Sequence, residues 1–236
     1  MNISPSSLNL FFSCPYRWKL TYIDQKEGIP IEDREALFGR MLHNIIQAYY
    51  QNLPENASRE EVEKALEKAV KDYFDPMFER RRERVERLME NFKKFEFQRI
   101  KTQSRTKPEL VEQKMVAEPF SGIIDFYNEG LVIDWKTRGV TNNLSPDYIR
   151  QGKIYEFILK RNGKEVRSVR FFSLEMGEFI PIPRMSDDWL WRQYNQLRET
   201  VEKGKFEKVR GPNCKYCEQI LDCEFGEVGM WSFETD

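Results

Sequence analysis

The stretch SGIIDFYNEGLVIDWKTR, Ser121 to Arg138, decides how this chain is read. Two apolar runs flank Asn128-Glu129-Gly130, a turn-forming sequence, and together they predict a β-hairpin. Side chains alternate along a strand, so Asp134 and Lys136 share one face while Leu131, Ile133 and Trp135 share the other, buried one. A loop of two or four residues sets Asp125 directly opposite Asp134, with Cβ atoms about 5 Å apart. A three-residue loop with Gly130 in the left-handed region breaks that pairing, and the residues alone allow both.

Facing carboxylates repel each other, most strongly in apolar surroundings. A shared divalent cation removes the conflict, and hard oxygen ligands with open positions suit Mg²⁺ or Mn²⁺. A lysine beside such an ion can orient an attacking water or help to deprotonate it. An Asp-x-Lys triplet by itself is a common surface ion pair. Its weight here comes from the hairpin and from the acid on the adjoining strand.

Working outward from the hairpin, residues 33–52 read as a helix with Leu37, Met41, Ile45, Ala48 and Tyr49 on one apolar face. His43, the lone histidine, lies opposite that seam. Ala36, Gly39, Ile46 and Tyr50 share its face within about 80°. Gly39 lets another element approach closely. On the other side of the hairpin, Tyr148 to Leu159 (YIRQGKIYEFIL) puts Gln151 and Tyr155 four apart on one helical face.

The four cysteines are Cys14, Cys214, Cys217 and Cys223. They are too few for a disulfide scaffold of this length. A single cysteine near the start and a C-x2-C-x5-C cluster near the end can hold one tetrahedral zinc or one iron–sulfur cluster, and the paired C-x2-C spacing of zinc ribbons is absent. Tyr16, Arg17, Trp18, Lys19, Lys215 and Tyr216 surround this group. Aromatic packing beside a cofactor accounts for Trp18, whereas Arg17 and Lys19 suit contact with phosphate.

The remaining chain supports an α/β organisation. One helix is predicted over 4–22, opened by Ser4-Pro5. Charged helices are predicted over 59–74 and 76–103, with Pro76 at the boundary. Strands follow at 109–117, 122–127, 131–137 and 165–175, with helices at 146–160 and 186–203 and an irregular tail from Gly211. At 236 residues, 40% hydrophobic and 33% charged, the chain can bury a sizeable core and is not of disordered composition. The net charge of −1 means that any attraction to a polyanion must come from a local patch. There is no run of eighteen apolar residues and no basic start or small-residue cleavage site, which predicts a cytoplasmic protein away from membranes.

Taken in order, a Cys, a His, an Asp, Asp-x-Lys, Gln-x-x-x-Tyr and three more Cys resemble the RecB-like branch of the PD-(D/E)XK nucleases. The start SPSSLNLFFSCPYRWKL and the helix stretch FGRMLHNII are similar to elements of the iron–sulfur members, including the AddB nuclease domain. The resemblance implies a restriction-endonuclease-like mixed sheet flanked by helices. It implies a single nuclease domain over 1–236: a mainly helical region 1–108 with Cys14 and His43, a catalytic sheet core 109–183, and a C-terminal helix with the cysteine cluster over 184–236. By resemblance, His43, Asp125, Asp134 and the Trp135 carbonyl bind Mg²⁺ or Mn²⁺, and Lys136 is catalytic with the two aspartates. Gln151 and Tyr155 shape the site and hold DNA, and Cys14, Cys214, Cys217 and Cys223 carry a 4Fe–4S cluster. One departure is Phe126, where many RecB-like members have arginine, which implies altered DNA contact or subfamily placement.

The expected activity is exonucleolytic hydrolysis of single-stranded or end-containing DNA in repair or recombination, with a helicase as a possible partner. A CRISPR-associated nuclease that trims spacer precursors beside adaptation proteins is the second reading. It usually carries Glu before the lysine, where this chain has Asp134. A non-catalytic, metal-stabilised DNA-binding module is the third. In each case the run ERRRERVER, Glu79 to Arg87, is either a solvated helix face or a DNA-facing strip.

Overall fold

A computed structural model describes residues 2–139 and 144–224. In chain order the elements are α1 (Pro5–Ser13), α2 (Pro15–Tyr22), α3 (Arg34–Asn52), α4 (Arg59–Tyr73), a 3₁₀ turn (Pro76–Arg81), α5 (Arg82–Thr102), β1 (Leu110–Ala117), β2 (Phe120–Asn128), β3 (Leu131–Lys136), α6 (Pro146–Arg161), β4 (Ser168–Ser173), β5 (Glu178–Pro181) and α7 (Asp187–Lys203). Two short 3₁₀ turns, Pro212–Tyr216 and Ile220–Asp222, follow. The chain divides into two compact units, one of residues 34–185 and one of residues 3–33 with 186–224. No helix among the described residues is long and apolar enough to cross a membrane.

The sheet of the first unit runs β1-β2-β3-β4-β5, antiparallel except for the parallel β3–β4 pair. Parallel neighbours need a crossover, and α6 supplies it. This is a mixed five-stranded sheet flanked by helices, as a restriction-endonuclease-like fold requires. Along β3 the alternation is regular. Ile133 and Trp135 join the core built by α3, α4 and α5, while Val132 packs with Tyr155 and Leu159 of α6. Trp135 is the centre of an aromatic cage, with ring centroids at 5.4 Å from Phe92, 5.5 Å from Phe95, 5.8 Å from Phe126 and 5.9 Å from Phe172. That burial pins the strand on which Asp134 and Lys136 ride.

The hairpin closes through a two-residue loop. Asn128 pairs with Leu131, and Glu129 and Gly130 have φ of 46° and 80°. Two positive φ values in a two-residue loop make the turn that matches strand twist. The register of Phe126 with Ile133 carries Asp125 opposite Asp134.

Strand β2 does not alternate cleanly. Ile124 and Tyr127 both pack with α6, whereas Phe126 packs with α3 and α5. Strand β1 slips in the same place, with Leu110 and Met115 on the α6 side and Val111 on the other. The slip falls at Glu112, which lies across from Asp125 and has φ of 45°. A side chain in the left-handed region costs roughly 1–2 kcal/mol, so the surrounding pairing holds a strained glutamate beside an aspartate.

Two sequence expectations change. The helix predicted over 4–22 is two helices, because Pro15 drives Cys14 out of the helical region, to φ −159° and ψ 102°. Strand β5 has no counterpart among the predicted strands; it is only four residues long and ends on Pro181. Phe126, at the position where many RecB-like members have arginine, is fully buried among Tyr50, Phe95 and Trp135.

A buried polar network ties α3 to α5. Tyr49 and Tyr50 donate to the Glu96 carboxylate at 2.6 and 2.8 Å, and Arg99 donates to it through Nε at 2.6 Å and through a second nitrogen at 2.8 Å. Arg99 also reaches the carbonyls of Arg105 and Thr106. Burial and the Glu96 charge push both tyrosine hydroxyls well above the ordinary range, so they stay protonated donors. The network fixes α3, the helix that carries His43.

In the second unit, Trp18 is buried, donates from Nε1 to Ser7 Oγ at 2.9 Å, and stacks 6.4 Å from Phe206.

Candidate active site

Three elements bring three ligand types together. Helix α3 offers His43, β1 offers Glu112, and β2 offers Asp125. One ligand atom from each lies within 4.8 Å of the others, the only such trio of His, Cys, Asp or Glu among the described residues. His43 Nδ1 donates to Glu112 Oε1 at 2.7 Å and lies 3.6 Å from Asp125 Oδ2. His43 Nε2 donates to the Trp135 carbonyl at 3.1 Å. Both ring nitrogens face acceptors, which only an imidazolium satisfies fully. Burial works against that charge, but the Glu112 hydrogen bond and the nearby carboxylates outweigh it and raise the histidine to about 9. Gly39, one turn before His43, faces Thr137 just past β3; a Cβ there would fit, 3.9 Å from the Thr137 side chain.

Asp125 is buried, and its Oδ2 accepts the Trp135 backbone N–H at 3.0 Å. Burial, and then the charge of Asp134, push its carboxyl well above the usual range. Two buried acids, a histidine and a third acid thus converge in apolar surroundings, where facing carboxylates repel one another. The donor set is carboxylate oxygens, a backbone carbonyl and one imidazole. This set fits a divalent cation of the Mg²⁺ or Mn²⁺ kind.

Beside this group, β3 and α6 form a second cluster. Lys136 Nζ lies 2.7 Å from Asp134 Oδ2 and donates to Gln151 Oε1 at 3.0 Å. Gln151 Nε2 faces both Asp134 Oδ1 at 2.7 Å and the Tyr155 hydroxyl at 3.0 Å. The ammonium also sits 4.8 Å from the Tyr148 ring centre and 4.7 Å from that of Phe171. Burial opposes the lysine's charge, but Asp134 more than offsets it, so the amine sits above its ordinary range and keeps its proton. Gly122 makes room for this arrangement: a Cβ there would lie 3.0 Å from the Tyr155 ring.

His43, Asp125, Asp134, Trp135, Lys136, Gln151 and Tyr155 are therefore gathered in the first unit. Arg17, Lys19 and the four cysteines belong to the second. There Arg17 pairs with Glu218 at 3.7 Å, and Lys19 pairs with Asp24. Cys14, Cys214, Cys217 and Cys223 line one cavity of about 340 Å³, together with Arg17 and Tyr16. All four are free thiols, and no three of their sulfurs come within 4.8 Å of one another. Cys14 Sγ accepts the Arg17 backbone N–H at 3.5 Å, and Cys214 Sγ accepts that of Gly211 at 3.3 Å.

Sequence reasoning missed Glu112 and the aromatic seat of Lys136. Glu112 belongs to no local pattern; only the β1–β2 register places it against Asp125. Tyr148 lies one turn before Gln151, and that spacing was a usable signal.

Paired acids on neighbouring strands and a histidine from a helix are a donor set that could hold a divalent cation, with a fixed ammonium alongside. The family model of the PD-(D/E)XK nuclease superfamily matches residues 2–223, and the chain belongs to that superfamily. Membership implies a nuclease that hydrolyses phosphodiester bonds of DNA with a divalent metal. Among curated proteins, none matches the chain.

Proposed function

We propose that the chain is a Mg²⁺- or Mn²⁺-dependent DNA nuclease whose cation is held by His43, Glu112, Asp125, Asp134 and the Trp135 carbonyl. The convergence of His43, Glu112 and Asp125 within 4.8 Å, with the Trp135 carbonyl beside them, carries this reading. These residues would hold the cation, whose chemistry there would be polarisation of the scissile phosphate and activation of a water. Lys136, kept cationic and aimed by Asp134 and Gln151, orients that water and stabilises charge building on the phosphate oxygens. Gln151 keeps the lysine and Asp134 in register, and Tyr155 holds the glutamine amide. Trp135 fixes the strand through its burial and contributes only its backbone to the site. The RecB-like motif order extends the reading to exonucleolytic attack on strands with free ends, in repair or recombination.

We also assign the cysteine cavity to a 4Fe–4S cluster with a structural role. A single tetrahedral zinc, with Zn–S near 2.3 Å, needs sulfurs about 3.8 Å apart. The choice of a larger inorganic core rests on the resemblance of the C-x2-C-x5-C cluster and the distant Cys14 to the iron–sulfur members of the RecB-like branch. It would join α2's start to the chain's last turns and close a loop of about 200 residues, which restricts the unfolded state.

The test uses anaerobically purified protein, end-labelled DNA and Mn²⁺. Cleavage is expected from the wild type. It is lost in Asp125→Asn together with Mn²⁺ binding measured by calorimetry, and lost in Lys136→Ala with Mn²⁺ binding retained. Equal cleavage by all three proteins would refute the assignment. Iron and sulfide analysis of the same preparation, with Cys217→Ser as the control, tests the cluster.

A further inference from the structure

Helix α3 acts as a ruler along one face. His43, Gly39 and Glu35 are spaced by four residues, about 6 Å per step, so Glu35 lies about 12 Å from the cation site along the helix axis. His43 meets the Trp135 carbonyl, Gly39 faces Thr137, and Glu35 meets a group of arginines. Arg81 pairs with Glu35 at 2.5 Å, and Arg84 and Arg138 each at 3.7 Å. Arg84 Nε and Arg87 share Glu175, in the turn between β4 and β5. Arg84 also donates to the Thr137 carbonyl at 3.3 Å, next to the catalytic lysine in the chain. Ser173 Oγ holds the Arg138 carbonyl at 3.1 Å, and the Leu174 N–H holds that of Lys136 at 2.8 Å.

Four arginines thus share two carboxylates. Among the described residues the ion pairs of these four arginines go to Glu35 and Glu175, so the cluster holds two more positive charges than acids. The glutamates fix the guanidinium groups without neutralising them as a set. The two outermost side chains remain open to solvent, Arg87 at 59% and Arg138 at 66% exposure. Arg81 to Arg87 spans about 9 Å of helix. A stacked strand rises about 3.4 Å per phosphate, so that length covers two to three of them. Guanidinium forks suit phosphate oxygens.

We propose that Arg81, Arg84, Arg87 and Arg138 form the track that grips the sugar–phosphate backbone of the DNA strand two to four nucleotides from the cut bond. This rests on the nuclease reading of the adjacent site. Glu35 and Glu175 are positioning residues that hold the track open in the absence of DNA. The run of arginines at the start of α5 is then a DNA-facing strip, and Phe38 is the surface on which Arg81 and Arg84 lie, 5.3 and 5.0 Å from its ring centre.

The test pairs the wild type with Arg87→Ala/Arg138→Ala, both exposed positions. Binding of a fluorescent single strand of about 20 nucleotides is followed in EDTA across a salt series, where removing one arginine–phosphate pairing flattens the log–log slope by about 0.7. The double variant is expected to show a slope shallower by about 1.4 and an affinity at low salt reduced about tenfold. Arg87→Lys/Arg138→Lys is expected to restore most of the slope. Hydrolysis of bis(4-nitrophenyl) phosphate with Mn²⁺, a substrate too small to reach the track, is expected to stay unchanged in the double variant. An unchanged slope and affinity in the double variant would overturn the track, even with cleavage intact. A wild type that shows the slope and loses it in the double variant, yet cuts no DNA when Mn²⁺ is supplied, would leave the track standing and remove the nuclease reading.

Discussion

At the scale of single residues, the site combines a cage of acids around His43 and one fixed ammonium. Replacing Lys136 by alanine is expected to lower the single-turnover cleavage rate by about 10²–10⁴-fold, in the range of a positioned proton-handling group, with little change in Mn²⁺ affinity by calorimetry. Gln151→Ala leaves the lysine in place but unaimed, so a loss nearer tenfold is expected in the same assay. The cage has a pH signature. His43 is raised to about 9 in the metal-free chain, against roughly 6.5 when unfolded. Its contribution to stability is therefore complete below about pH 6.5 and is lost as pH rises through about 9. Metal-free denaturation midpoints should decline across that window, and the decline should shrink in His43→Gln. Because a cation must displace the same proton, apparent Mn²⁺ affinity should climb over the same interval.

The hairpin decides matters at the scale of elements. Gly130 sits at φ of 80°, and a Cβ there would meet Arg167 Cγ at 2.8 Å. Gly130→Val is expected to cost at least about 1–2 kcal/mol, from left-handed strain alone, read as a lower urea midpoint at unchanged m-value. Most of this element was legible in the chain. Asn-Glu-Gly marked the turn, and a period of two placed Asp134 and Lys136 together on β3, where the alternation holds. The same rule failed on β1 and β2, because both strands slip phase at the Glu112–Asp125 pair. No local sequence signal announces that slip; it exists only when the strands are paired. The helix break at Cys14 was missed, although Pro15 restricts the residue before it and was a usable signal. Strand β5 was not legible, since four residues ending in proline carry little periodicity. His43 was placed correctly on its helix, but its partner Glu112 lies 69 positions away in sequence and could be found only by folding the chain.

The whole molecule depends on buried charge as much as on apolar area. Glu96 and Arg99 are both almost fully buried and satisfy each other and two tyrosines. Arg99→Ala would strand the Glu96 carboxylate in the core, at a cost of about 3–5 kcal/mol. Guanidinium denaturation should report that loss, and Glu96→Gln/Arg99→Met should recover much of it. Because the network seats α3, the single variant is also expected to weaken Mn²⁺ binding through His43. The strained glutamate of β1 has its own consequence for how such a chain changes over generations. Glycine and asparagine both rest easily at a left-handed position, so selection for heat resistance alone would replace Glu112 early. Selection for catalysis would retain it. In a randomised library of this chain, the residue at position 112 should sort survivors into those that kept only the scaffold and those that kept the chemistry.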